Sequence, residues 1–149
     1  MRFLLIDRIT DLESGSRATG LKNVTLSEDF FTHHFPTQPI MPGALITECL
    51  VQLSDWLLRE NSDFNCIAFP SRIEMVKFHH LVRPGDQLLL DVQITGREND
   101  LFQIRGEARC QDHVAASARL EMRTEPAAAF QSPEDARALY RMIRGTSGL

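Results

Sequence analysis

A chain of 149 residues, 43% hydrophobic and 24% charged, carries enough apolar material for one proper core, which excludes a largely disordered protein and removes the need for disulfides or a structural metal. Its net charge of −4, with no basic block and no repeated aromatic-basic pattern, argues against a dedicated nucleic-acid binder. Cys49, Cys66 and Cys110 are odd in number, widely spaced and without a CxxC pair, so they read as buried hydrophobes in a reducing compartment.

At the N-terminus, MRFLLIDRI has four apolar residues in a row before Asp7, too few for the apolar region of a signal peptide. No run approaches the roughly 20 apolar residues that cross a bilayer, so a cytoplasmic protein with no membrane partner is expected. Residues 3–10 and 18–26 read as strands, with Gly15 and two serines of DLESGS suiting a reversal between them. A proline-rich loop follows. From Gly43 to Glu60 the sequence GALITECLVQLSDWLLRE holds helix formers and no internal Gly or Pro, and it is apolar over most of its circumference. Such a helix should be wrapped by other structure on most sides.

Beyond it the period falls to two. In QLLLDVQI, Leu88, Leu90, Val92 and Ile94 share one face. In LFQIRGEARC the corresponding set is Phe102, Ile104, Gly106, Ala108 and Cys110, and in VAASARLEMR it is Ala116, Ala118, Leu120 and Met122. The connections GREND and QDH make these consecutive antiparallel hairpins, one face solvated and the other packed on the helix. This is an α+β pattern. Residues 1–123 form one domain, and 124–149 form a linker and a C-terminal helix packed on it or extending from it. Ser132 is the expected N-cap, Pro133 the first helical position, and Ala136, Leu139, Tyr140 and Ile143 the apolar stripe.

Two polar residues stand out against this background. His34 opens a loop stiffened by Pro36, Pro39 and Pro42, and Glu48 sits fourteen residues later inside the apolar helix, with Gln52 one turn further on. Pro42-Gly43 starts that helix and leaves its first N–H groups unpaired at the positive end. A carboxyl flanked by Ile46, Cys49, Leu50 and Val51 should be partly desolvated, which favours its protonated form. Together these are a base, an acid and a site for a negative oxygen, as removal of a proton beside a carbonyl with loss of water requires. A loop His is more often a surface or packing residue and a lone helix Glu more often solvated, and spacing alone does not decide the matter.

The stretch HFPTQPIMPGALITECLVQ closely resembles the active-site signature of the 3-hydroxyacyl-acyl-carrier-protein dehydratases, the FabZ/FabA-like hotdog-fold family, whose pattern runs HFPxxPxMPGxLxxExxxQ. FLLIDRI and KFHHLVRPGDQLLLDVQI resemble further family blocks in the expected order. The resemblance implies an antiparallel sheet around a central helix. It also implies a homodimer with shared active sites, alone or as a hexameric trimer of dimers, that acts on an acyl carrier protein carrying a 3-hydroxyacyl chain, with no metal and no cofactor. Carried over by position, His34 takes the α-proton and Glu48 of the partner chain protonates the leaving hydroxyl. The Gly43 N–H binds the thioester carbonyl, Gln52 orients the Glu, and Phe35 and Pro42 complete the substrate-binding set.

The sequence departs from the family at His33, where Gly is usual, and at Thr37-Gln38, so a redirected loop or a narrower pocket is expected there. Arg72, Lys77, His79, His80 and Arg83 form a local positive cluster in an acidic chain and are candidate docking residues for an acidic carrier, with a solvated edge strand the alternative. Two other activities share the scaffold: a hotdog acyl thioesterase, and a noncatalytic acyl-carrier-binding subunit. Acyl chain length, pathway and isomerase activity are not encoded in any local motif.

Overall fold

The computed structural model describes residues 3–145. In chain order these form β1 (Arg8–Glu13), β2 (Arg17–Asn23), a 3-10 turn (Asp29–Thr32), α1 (Gly43–Asn61), β3 (Cys66–Phe78), β4 (Gln87–Glu98), β5 (Leu101–Cys110), β6 (His113–Pro126), a second 3-10 turn (Ala127–Ala129) and α2 (Pro133–Arg144). The six strands make one antiparallel sheet in the order β1-β2-β4-β5-β6-β3. It curls around α1, which packs against β2, β3, β4, β5 and β6. This is the hotdog architecture.

The apolar girth of α1 holds it there. Leu50, Leu53 and Leu57 are fully enclosed and share one core with Leu88, Leu90, Val92, Ile104, Leu120 and Met122, each such side chain contributing about 1.5–3 kcal/mol. At Gly106 the sheet comes so near the helix that a Cβ would lie 3.2 Å from Leu50 Cδ1. Glycine at this point lets β5 approach α1.

Several boundaries differ from the sequence pattern. The first strand begins at Arg8, not at residue 3, because Leu5 and Ile6 turn into the core and the Leu5 N–H is taken by the Gln52 side chain. It runs on to Glu13, so only Ser14, Gly15 and Ser16 make the reversal, with Gly15 at φ 73. β2 ends at Asn23, and beyond it the Val24 N–H donates to the Asp86 carbonyl. β5 keeps the bounds its alternation suggested, while β4 and β6 reach further, leaving two-residue turns at 99–100 and 111–112. Asn99 and Gln111 adopt positive φ in these turns.

β3 is the solvated edge strand that the sequence offered only as the alternative for Arg72 and Lys77. It is an edge strand carrying Pro70 and two register irregularities, and long stretches of it are exposed on both faces, so no two-residue period marks it. α2 follows the expected grammar: Ser132 Oγ accepts the Asp135 N–H at 3.1 Å and Gly145 closes the helix at φ 70. Its Tyr140 ring lies 5.9 Å from Trp56 and 5.2 Å from Phe64, and Arg137 donates to the Asp63 carbonyl, tying the helix to the end of α1. No described helix is long and apolar enough to cross a membrane.

Candidate active site

The loop between the first 3-10 turn and α1 closes on itself around His34. The His34 N–H donates to the Phe30 carbonyl at 3.1 Å, and the Ile40 N–H donates back to the His34 carbonyl at 3.0 Å. His34 Nδ1 lies 2.8 Å from the Ile40 carbonyl oxygen, which can only accept, so Nδ1 carries the hydrogen and the neutral ring keeps its lone pair on Nε2. The ring also stacks on Phe35, with centroids 4.3 Å apart. A Met41 N–H bond to the Val82 carbonyl anchors the end of the loop, and Met41 is buried. The outcome is a half-buried imidazole, held by backbone and with one nitrogen available as a base.

Pro42 caps α1 and Gly43 begins it, so the leading N–H groups have no intrahelical acceptor. The Phe78 ring, at the end of β3, lies over this point: a Cβ on Gly43 would be 2.7 Å from two of its carbons. Phe78 is itself exposed and can swing aside. Gly43→Ala should therefore fold normally while moving the ring and crowding the helix start. Its expected signature is a wild-type melting curve with kcat/KM down at least tenfold, and unchanged turnover would remove the helix start from the site.

Glu48 lies on a half-buried face of α1. Its Oε1 accepts from Gln52 Nε2 at 3.0 Å. Beside it, Cys49 is enclosed and burial pushes its thiol up to about 12, so this cysteine is a packing residue with no nucleophilic role. Among the described residues no hydrogen bond joins His34 to Glu48 within one chain.

A FabA-like domain model matches residues 1–119. The chain belongs to the FabA-like family. Within it, the chain is 44% identical over 119 residues to a protein of Caldanaerobacter subterraneus subsp. tengcongensis named 3-hydroxyacyl-[acyl-carrier-protein] dehydratase FabZ, covering 79% of this chain and 84% of the relative. A FabZ of the same name from Aromatoleum aromaticum is 41% identical over 122 residues, with the same coverage. Among solved structures, the dehydratase heterocomplex ApeI:P of Xenorhabdus doucetiae aligns with a TM-score of 0.59 at 25% identity, over 76% of this chain and 92% of that one. The Streptococcus mutans protein smu.793, solved with acetyl CoA, shares the fold alone, with a TM-score of 0.66 at 16% identity over 85% and 93%.

The departures from the family signature fall on ordinary backbone. His33, Thr37 and Gln38 are exposed and none has a positive φ, so no glycine is required there. Thr37 and Gln38 instead line an open groove of about 470 Å³ with Leu26, Pro39, Leu81 and Arg83. The candidate docking residues have different local surroundings. Arg83 borders the groove beside the His34 loop, and Lys77 is exposed near the end of β3. Arg72 pairs with Glu74 and Glu121, and His79 and His80 line a second groove with Arg105, Glu107 and His113 on the sheet. Sequence reasoning missed the Ile40 carbonyl and the Phe78 ring. The KF pair at residues 77–78 was the only signal for the latter.

Proposed function

We propose that this FabA-like chain dehydrates 3-hydroxyacyl thioesters carried on an acyl carrier protein, giving trans-2-enoyl thioesters and water in fatty acid or related polyketide or polyene synthesis. The observation that carries the site assignment is the Nδ1–H bond of His34 to the Ile40 carbonyl, which leaves Nε2 as the free base. The names of the 44% and 41% identical relatives support the reaction class.

In the forward direction His34 Nε2 removes the proton from C2. The electrons of that C–H bond form the C2–C3 double bond as the C3–O bond breaks, and the departing oxygen takes the Glu48 proton and leaves as water. The Gly43 N–H, at the positive end of α1, stabilises the thioester oxygen while it carries negative charge. Phe35 and Pro42 border the space between base and helix start. Exchange with water returns the His34 proton to Glu48.

Base and acid come from different subunits of a homodimer in this reading. Its support is the lack of a His34–Glu48 bond among the described residues of one chain, together with the unpaired edge of β3 and the exposed apolar side chains Phe35, Ile73, Phe78 and Leu81, which a second copy would cover. Lys77 and Arg83 are the cations we assign to the acidic carrier.

One assay series tests the whole reading. Hydration of a short 2-enoyl thioester should bleach its conjugated absorbance without releasing free thiol, and thiol release in its place would make the chain a thioesterase. With carrier-bound substrate, Lys77→Glu with Arg83→Glu should raise KM at least tenfold while leaving a small thioester analogue within about twofold. Equal losses on both substrates would overturn the docking assignment, and carrier binding with no turnover of either substrate would make the chain a binding subunit.

A further inference from the structure

The amide of Gln52 is locked by the segment that precedes β1. Its Oε1 accepts the Leu5 N–H at 2.9 Å, and its Nε2 donates to the Phe3 carbonyl at 3.0 Å as well as to Glu48 Oε1 at 3.0 Å. A backbone N–H can only donate and a backbone carbonyl can only accept, so a flipped amide would set donor against donor and acceptor against acceptor. Both Nε2 hydrogens are thus committed, one of them to a single carboxyl oxygen of Glu48. We propose that residues 3–5 act as a positioning strap for the acid: by fixing Gln52 they reserve Glu48 Oε1 as an acceptor and place the transferable proton on Oε2. This inference rests on the assignment of Glu48 as general acid and goes beyond it by making the chain ahead of β1 part of the proton-delivery apparatus.

The strap is an unusual place for such a duty. Phe3 and Leu4 are 56% and 37% exposed, so neither belongs to the enclosed core, and the first ladder pair of β1 begins only at Arg8. Leu5, by contrast, is buried, which holds its N–H in register with Gln52. The segment is anchored by one side chain and presents two backbone groups to α1.

The test separates acid delivery from general damage by changing the leaving group. A 3-hydroxyacyl thioester needs a proton to expel its oxygen, whereas a 3-chloroacyl thioester loses chloride unassisted and still needs the base. Two variants are compared with wild type: Gln52→Leu, and a chain from which residues 1–3 are deleted with Met in place of Leu4, which lacks the Phe3 carbonyl and keeps Leu5 with its N–H. Both should lose up to about 100-fold in kcat on the 3-hydroxy substrate, with KM within twofold, and less than threefold on the 3-chloro substrate. Combining the two changes should cost no more than the larger single loss, because both act through one amide. Equal losses on the two substrates, or losses that multiply, would overturn the strap. Glu48→Gln serves as the reference: if it keeps full activity on the 3-hydroxy substrate, the acid assignment itself fails, whatever the strap variants do. If the shortened chain does not fold, Gln52→Leu on the two substrates still decides whether the locked amide serves proton delivery.

Discussion

Neither His34→Ala nor Glu48→Ala should hydrate an enoyl thioester by itself, yet the two variants assembled together in equal amounts should recover about a quarter of wild-type activity. Random pairing makes half of the dimers mixed. In a mixed dimer one site joins the altered His position to the altered Glu position and is dead, while the other joins wild-type His34 to wild-type Glu48 and is intact. One live site in two, in half of the dimers, gives the quarter. Each single variant should fall roughly 10²- to 10⁴-fold, the usual reach of a positioned acid or base. His34→Ala also loses the bond to the Ile40 carbonyl, so its melting curve must be followed alongside. No recovery on mixing would place acid and base in one chain, and undiminished single variants would remove them from the chemistry.

The parts of this protein that were legible in its sequence are those where burial is one-sided or nearly complete. β4, β5 and β6 alternate because one face meets α1 and the other meets water, and α1 shows as a long apolar run because strands surround it. β3 was legible only as a solvated-edge alternative, without bounds, for the converse reason: an edge strand exposed on both faces imposes no period, and its pairing with β6 is a long-range fact. In the site, His34 and Glu48 stood out as polar residues in a proline-braced loop and an apolar helix. The groups that set them were silent, since the Ile40 and Phe3 carbonyls and the Leu5 N–H belong to the backbone and carry no side-chain signature. Gln52 lay between these cases: its spacing from Glu48 was readable, while the strap that locks it was hidden inside a segment that read as plain strand.

Asp55→Ala should destabilise the fold by about 3–5 kcal/mol, because it leaves a buried guanidinium without its partner. Asp55 Oδ2 accepts from Arg59 Nε at 2.8 Å, and Oδ1 accepts the Ala68 N–H at 2.8 Å, joining α1 to β3. Arg59 is buried, lies 5.1 Å from the Trp56 ring centroid and donates to Gln131 ahead of α2, so one ion pair gathers α1, the sheet and the C-terminal segment. An i,i+4 pair of this kind on a solvated helix contributes only about 0.3–0.5 kcal/mol, and burial is the whole difference. Burial also raises the Asp55 carboxyl above its ordinary range despite the opposing pull of Arg59, so the folded state holds that proton more tightly than the unfolded chain does. The contribution of the acid is then fully present below its unfolded pKa and declines as pH rises through the folded one. Urea unfolding should accordingly show the margin of wild type over Asp55→Asn shrinking from acid towards neutral pH. Replacing both partners, as Asp55→Leu with Arg59→Met, should cost less than Asp55→Ala alone, since no charge is then stranded. A loss under 1 kcal/mol for Asp55→Ala would show that water reaches Arg59 and that the three elements are joined by apolar packing alone.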